Sequence, residues 1–213
     1  MKTARILGAV CLLGALGLGG CASFPAEEVP RTTMPSVTQY QQKPGVYVDF
    51  KFYQGLPGAG ASEIGQAREH LRPALERRLD ASGLFSRYTL DPAQKREGDY
   101  VLRLKMYNHG SSGGAAVSGF ISGLTLGIIP GTAKDEYSMT LEVLDPQNQP
   151  LQSMRNHDAI RTWMGWIFLP MAGNTPDKAV NDTFGRQVDA LLKELYDSRQ
   201  LQYSALRMQR AEG

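Results

Sequence analysis

Histidine is the residue type of this chain whose chemistry is easiest to recognise, because its side chain binds metals and transfers protons near neutral pH. The chain has three, His70, His109 and His157, and they are too far apart in sequence for the short spacings typical of a metal site. His157 directly precedes Asp158. The two residues form either a hydrogen-bonded pair at the surface or one part of a polar functional site. The histidines therefore predict no metal centre.

The glycine-rich and acidic residues form no complete catalytic pattern either. Residues 110–114 are rich in glycine, but the Gly-Lys-Ser/Thr that completes a phosphate-binding loop does not follow them. Asp49 and Glu63 would act as paired acids only if the fold brought their carboxylates together. The sequence therefore predicts no catalytic residue and no cofactor, and it favours a protein that is not an enzyme.

Cys21 ends a recognisable export signal. Lys2 and Arg5 give the chain a basic start, residues 6–18 are uncharged and mostly apolar, and two glycines precede the cysteine. A basic start, a short apolar core and small residues at the cleavage site are typical of a secretory signal. The apolar core is shorter than the ~20 residues that a membrane-spanning helix needs.

The signal resembles the lipobox of bacterial lipoproteins, because its small residues end on a cysteine. The resemblance implies a diacylglyceryl thioether on Cys21, cleavage before that residue and acylation of the new amino terminus. Two or more acyl chains anchor a protein stably, whereas one does so only marginally. Ala22 follows the cysteine, as in outer-membrane lipoproteins of Gram-negative bacteria, which implies the periplasmic face of the outer membrane. An ordinary secretory signal with a chance cysteine is the alternative.

Charge and cysteine content limit the remaining function classes. Residues 1–20 carry two of the 23 basic residues, so their removal leaves as many basic as acidic residues. This balance gives no reason to expect nucleic acid as a partner. Cys11 leaves with the signal, so after acylation of Cys21 no thiol remains for a disulfide or a metal. The fold then has to rest on packing alone.

Composition divides the chain into four segments. Residues 1–20 are the predicted lipoprotein signal peptide. Residues 21–44 contain four prolines and few large apolar residues, which predicts a flexible tether. Residues 45–199 predict a single periplasmic α/β domain with an apolar, glycine-rich insertion at 109–133. Residues 200–213 form a polar C-terminal tail.

The periodicity of apolar residues predicts the elements of the domain. Apolar and polar residues alternate in three predicted half-buried strands, at 46–53, 99–108 and 136–144. A short strand at 88–90 and a longer, less regular one at 151–164 are also predicted. A three-to-four spacing predicts two helices, with Ser62 and Thr175 as their N-caps. This order predicts an α+β fold in which a mainly antiparallel sheet of four to five strands carries two main helices on one face. Phe50 on the first strand and Phe184 on the last helix are predicted to share the core.

Residues 115–132 contain no charged side chain, and three interpretations of them remain open. In the first, the segment forms a buried strand or hairpin, which its β-branched residues and glycines favour. In the second, it forms an exposed apolar loop that docks on a partner or dips into the bilayer. In the third, it forms a helix whose small residues at every fourth position pair it with other helices in a homo-oligomer. Phe120, Leu124 and Ile128 are the predicted contact residues.

A second apolar cluster contains Trp163 and Trp166 together with Met164, Ile167, Phe168 and Leu169. The cluster indicates either core packing beneath the final helix or a binding edge, since tryptophan and methionine are enriched at interfaces. Trp163 and Trp166 therefore join the predicted residues for contact with a partner or the membrane.

Residues 79–85, LDASGLF, and residues 98–102, GDYVL, together resemble a pattern of small periplasmic lipoproteins. The pattern is a helix, an SGLF corner, a short strand and then a strand with adjacent Asp and Tyr. The group includes the curli-secretion lipoprotein and the lipoprotein activator of penicillin-binding proteins. The resemblance implies an α/β domain that binds protein partners and contains no catalytic residues. Residues 123–130 also resemble a segment of uncharacterised proteobacterial lipoproteins.

These features predict a lipid-anchored envelope protein that acts as a non-enzymatic binding or assembly module at the outer membrane. The expected partners are membrane lipid, through Cys21, and an envelope protein. Two alternatives remain open. One is a homo-oligomeric secretion or structural component, and the other is an envelope hydrolase whose site is assembled from distant acidic residues or histidines.

Overall fold

The computed structural model describes residues 21–58, 60–110, 131–171, 173–201 and 204–205. Its strands, in chain order, are β1 (Cys21–Pro25), β2 (Tyr40–Gln42), β3 (Gly45–Gln54), β4 (Ser62–Glu63), β5 (Arg87–Thr89), β6 (Tyr100–Asn108), β7 (Gly131–Leu144), β8 (Pro150–Met164) and β9 (Ser204–Ala205). The α-helices are α1 (Gly65–Ser82) and α2 (Pro176–Ser198), and two 3-10 helices cover Pro92–Gln94 and Trp166–Met171. The signal peptide predicted over 1–20 lies outside the described residues.

The main sheet has seven strands in the order β1-β8-β7-β6-β3-β4, with β5 also paired to β3. β1 pairs with β8, β7 with β6 and β4 with β3 in antiparallel fashion, whereas β5 and β6 run parallel to β3. This confirms an α+β fold with two helices and a mostly antiparallel sheet. The predicted count of four to five strands is too low. The strands of this sheet without a sequence prediction, β1 and β4, have 5 and 2 residues, and an alternating pattern cannot be detected over so few positions.

The chain forms two compact units, each assembled from separate segments. The first comprises the described parts of Met1–Glu28, His109–Glu136 and Asp158–Thr183, and the second those of Val29–Asn108, Tyr137–His157 and Phe184–Gly213. Strands β7 and β8 and helix α2 each contribute residues to both units. The domain predicted over 45–199 therefore contains residues from both.

The core of the second unit is built from the strands that alternate in sequence. Every second residue of β3, from Val46 to Phe52, is buried, and the intervening side chains are half-buried. Phe184 of α2 is fully buried, and its ring centroid lies 5.5 Å from that of Phe50. The prediction that these two phenylalanines share a core is confirmed. Arg78 of α1 and Asp189 of α2 form an ion pair at 3.0 Å, so the two helices are neighbours in this unit.

Two short strands lie within the segment that the sequence predicts as a tether. β1 pairs with the last five residues of β8, and β2 pairs with β9, so residues 21–25 and 40–42 are ordered strands. Ala22, Val29 and Val37 are buried. Composition averaged over 21–44 is dominated by the prolines, and it conceals a five-residue stretch that can add to the edge of an existing sheet. The description of 21–44 as a flexible tether is therefore wrong at both ends.

The first helix begins later than its sequence pattern predicts. Ser62 and Glu63 form β4, which pairs with the end of β3, and Ile64 is the N-cap without a side-chain hydrogen bond. Ile64 also donates its backbone N–H to the carbonyl oxygen of Phe52 at 2.8 Å. Backbone pairing with β3 thus replaces the predicted serine cap. At the other end Gly83 has a φ of 60°, the left-handed conformation that favours glycine and that the pattern predicts.

The second helix begins at the predicted cap. Thr175 Oγ1 accepts a hydrogen bond from the backbone N–H of Lys178 at 3.2 Å, and Pro176 occupies the first helical position. We expect Thr175→Ala to lower the free energy of unfolding by about 0.5–2 kcal/mol, because that N–H loses its acceptor. Urea unfolding measures the change. Thr175→Ser keeps a hydroxyl acceptor, so a serine variant as unstable as the alanine variant would contradict the capping role.

Candidate functional site

Cys21 is the first residue of β1, and its side chain is exposed. The strand runs antiparallel to the end of β8, with Cys21 opposite Met164 and Ala22 opposite Trp163. Ala22 and Ser23, the two residues that follow the cysteine, are buried. The thiol therefore lies at the surface, on the first residue of an ordered strand.

Polar contacts fix β1 to its surroundings over its whole length. Ser23 Oγ lies 2.8 Å from Thr162 Oγ1, and the backbone N–H of Ser23 donates to the carbonyl oxygen of Asn174 at 2.8 Å. Directly after the strand, the N–H of Ala26 donates to the carbonyl oxygen of Ala159 at 2.7 Å. Because both edges of this strand are hydrogen-bonded, the residues after Cys21 are held in the first unit.

The predicted tryptophan cluster lies beside Cys21. Trp163 is half-buried near the end of β8, and its ring packs against that of Phe168 with centroids 5.8 Å apart. Trp166 is the first residue of the 3-10 helix, which contacts β1. Ile167 and Met171 of the same helix are 49% and 47% exposed. Trp163, Met164 and Phe168 are thus half-buried, and the role of the cluster in partner contact stays a prediction.

A cavity of about 390 Å³ opens next to this cluster in the first unit. Trp163 and Arg161 line it from one strand face of β8, Lys134 from β7 and Glu28 from the segment after β1. Lys134 Nζ donates a hydrogen bond to Glu136 Oε1 at 2.8 Å, and that bond raises the pKa of the lysine. Arg161 is exposed. The cavity therefore combines an aromatic ring with charges of both signs.

Sequence reasoning missed the charged part of this cavity. Arg161 and Trp163 are two positions apart on a strand, so their side chains share a face, and that spacing was the available signal. Lys134 and Glu28 come from segments that are distant in sequence, so no local pattern joins them to Arg161.

The predicted contact residues Phe120, Leu124 and Ile128 lie outside the described residues. The structure therefore leaves open whether residues 115–132 form a buried strand, an exposed loop or a pairing helix.

The acidic and histidine candidates lie in separate structural contacts. Asp158 is fully buried and accepts the backbone N–H of Glu28 at 3.1 Å, which joins β8 to the segment after β1. His157 Nδ1 lies 3.4 Å from Ser138 Oγ. Glu63 is exposed and pairs with Lys51 at 3.9 Å and with Arg68 at 3.6 Å.

Asp49 lines a second cavity, of about 310 Å³, within the second unit. Tyr47, Arg68 and Arg72 line the same cavity. Burial raises the pKa of Tyr47, and the negative charges of Asp49 and Asp91 raise it further. Within the described residues, no three acidic, histidine or cysteine side chains come close enough to hold a metal ion.

No helix in the described part of the chain is long and apolar enough to cross a membrane.

Several solved structures resemble this chain, whereas no family model and no curated protein matches its sequence. A minor lipoprotein from Acinetobacter baumannii is 13% identical, covers 80% of this chain and 98% of its own, and has a TM-score of 0.37. A PelC dodecamer from Paraburkholderia phytofirmans is 14% identical over 81% and 97%, with a TM-score of 0.36. A DUF4136 family protein from Bacteroides thetaiotaomicron is 9% identical over 85% and 97%, with a TM-score of 0.30. Similarities this weak assign no activity or partner, so function has to be argued from this chain's own residues.

Proposed function

We propose that this chain is a lipid-anchored protein of the Gram-negative cell envelope, held at the periplasmic face of the outer membrane by acyl groups on Cys21. Its folded part acts as a non-enzymatic binding or assembly module. The lipobox before Cys21 and the alanine after it support the anchor and its location.

The exposed position of Cys21 is the observation that carries this proposal. A thioether to diacylglycerol requires that the sulfur point away from the protein, and the thiol lies at the exposed start of β1. Acyl chains on the sulfur and on the amino terminus together would give stable attachment, which a single chain does not.

Replacement of Cys21 tests the anchor directly. We expect Cys21→Ala to lose the acyl mass from its N-terminal peptide and to disappear from the outer-membrane fraction of intact cells. Mass spectrometry and membrane fractionation measure the two effects. Cys11→Ala is the matched control, because the other cysteine lies within the predicted signal. An alanine variant that stays in the outer membrane, or an unmodified wild-type Cys21, would refute the proposal.

The polar candidates have different partners. Asp158 accepts the backbone N–H of Glu28, and Glu63 pairs with Lys51 and Arg68. The proposal gives these carboxylates structural contacts and no catalytic role. A binding role then rests on apolar contact surfaces, of which residues 115–132 and the tryptophan cluster are the proposed ones.

Photo-crosslinking in intact cells from probes at Phe120, Leu124 and Trp166 tests those surfaces. A discrete protein adduct supports the binding module and identifies its partner. Adducts between copies of this chain would instead support the homo-oligomeric component. Lipid adducts alone assign the probed residues to membrane contact, and no adduct from any probe refutes both contact surfaces.

A further inference from the structure

We propose that the first unit lies directly on the bilayer, with the 3-10 helix Trp166–Met171 inserted at the level of the lipid head groups. Ile167 and Met171 are the inserting side chains. This inference rests on the proposed acylation of Cys21, and it adds a second, non-covalent membrane contact to the anchor.

The first reason is that no flexible segment separates Cys21 from the folded first unit. Ala22 and Ser23 are buried and hydrogen-bonded within the first unit, so the ordered strand begins at the acylated residue. A strand rises about 3.3 Å per residue, which places Ser23 only about 7 Å from the anchor. Acyl chains that enter the bilayer from Cys21 therefore bring the surface around β1 down to the head groups.

The nature of that surface is the second reason. Five large apolar side chains are exposed among the described residues, and Ile167 and Met171 are two of them. Both lie in the 3-10 helix that contacts β1. Single exposed apolar residues need no explanation, but two on one six-residue helix beside a lipid anchor form a surface suited to the membrane interface. Apolar side chains in such surfaces enter about 5–10 Å into the boundary between head groups and acyl chains.

The residues next to the turn fit the same environment. Trp163 is half-buried against Phe168, and tryptophan is enriched at the level of the head groups. Arg161 lies on the same strand face, two residues before Trp163, and is exposed. At that position its guanidinium would face lipid phosphates, which arginine binds well. The surface thus has an apolar turn, an interfacial aromatic ring and a cation in adjacent positions.

Tryptophan fluorescence tests this contact, because the only two tryptophans of the chain are Trp163 and Trp166. The acylated, full-length mature protein is reconstituted into vesicles of phosphatidylethanolamine and phosphatidylglycerol, with and without bromine atoms on the acyl chains. We expect a blue-shifted emission relative to detergent-free buffer and a loss of intensity in the brominated vesicles. Mass spectrometry of the same sample establishes acylation first, so a chain without acyl groups refutes the proposed anchor as well as this inference.

Two variants separate insertion from mere proximity. Ile167→Glu/Met171→Glu is expected to keep its acyl groups and to lose most of the bromine quenching. Ile167→Ser/Met171→Ser provides the same comparison without added charge. Leu151→Glu is the matched control, because Leu151 is an exposed apolar residue of the second unit and should leave quenching unchanged. An acylated wild-type protein that is not quenched, or equal quenching in all the variants, would overturn the inference and leave the anchor standing. The unquenched result would also favour a protein partner for this turn.

Discussion

Phe184→Ala is expected to lower the free energy of unfolding by about 3–5 kcal/mol, the loss typical of a large buried aromatic side chain. Phe184 is fully buried, and its ring lies 5.5 Å from that of Phe50 at a tilt of 52°. Truncation removes the apolar surface that the ring buries and leaves a cavity between α2 and β3. Phe50, the neighbour across this cavity, is itself buried in β3, and a close-packed core relaxes too little to fill the space. Urea unfolding monitored by circular dichroism measures the loss.

Two further variants make this test specific. Phe85→Ala removes the same side chain from a half-buried position, so a smaller loss is expected there. Phe50→Ala is expected to cost about as much as Phe184→Ala, and the pair should show a coupling of about 0.5–1.5 kcal/mol, because the rings touch. Equal losses from Phe184→Ala and Phe85→Ala would place Phe184 outside the core.

The core residues could be predicted from the sequence because apolar residues recur at the regular spacings of a strand and a helix. β3 buries alternate residues, and the stripe of α2 that contains Phe184, Val188 and Leu195 is buried. In both cases the spacing alone indicates which side chains face inward. The same holds for the cap at Thr175 and the left-handed glycine at Gly83, where one residue type satisfies a local backbone requirement.

The parts that were missed depend on contacts between segments distant in the chain. Gln187 is fully buried in α2, and its Nε2 donates to the Tyr137 carbonyl and to Asn156 Oδ1, both at 3.1 Å. Nothing in the helical stripe distinguishes it from a solvent-facing glutamine. β1 likewise becomes a strand only because the end of β8 offers it an edge. A local pattern cannot show which distant group will meet it.

The candidate site also has one part that local sequence identifies and one part that depends on distant contacts. The chemistry expected of Cys21 is contained in its immediate neighbours, so the sequence was sufficient to single it out. Whether the apolar residues near Trp166 face the core or the surface depends on how the 3-10 helix packs against β1. The exposure of Ile167 and Met171 therefore had to come from the structure.

The motif residues that resemble periplasmic lipoproteins have structural roles in this fold. Ser82 Oγ donates to the carbonyl oxygen of Leu79 at 2.7 Å and accepts the N–H of Leu84 at 3.3 Å, while Leu84 itself is fully buried. The order of helix, corner, short strand and strand is present as α1, residues 83–86, β5 and β6. Kinship with the curli-secretion and penicillin-binding-protein-activator lipoproteins stays a prediction.

Asp99, the acidic residue of that motif, is expected to contribute strongly to stability. It is 3% exposed and accepts hydrogen bonds from the guanidinium of Arg87 and, at 2.7 Å, from the backbone N–H of Arg96. We expect Asp99→Ala to lower the free energy of unfolding by about 3 kcal/mol, because removal of one partner leaves the other charge and an N–H without an acceptor. The value lies at the low end for buried pairs, since the Arg87 side chain is 27% exposed and regains water.

Glu76→Ala is the matched control, because it also removes a carboxylate from an ion pair with arginine. Arg72 Nε and Glu76 Oε1 lie 3.0 Å apart, but both side chains are more than a third exposed. A surface pair of this kind contributes about 0.5 kcal/mol or less. Similar losses from Asp99→Ala and Glu76→Ala in urea unfolding would mean that burial of Asp99 adds nothing.

Gly45 provides an independent test of where the Asp99 carboxylate lies. A Cβ added at Gly45 would lie 2.5 Å from Asp99 Oδ1, closer than such atoms approach in proteins. Gly45→Ala should therefore destabilise the wild-type chain, because either the new methyl group or the carboxylate has to move away from its hydrogen-bond donors. In the Asp99→Ala background the obstacle is absent and the same substitution should cost less. The comparison forms a double-mutant cycle on the free energy of unfolding. If Gly45→Ala lowers that free energy equally in both backgrounds, the carboxylate does not pack against β3.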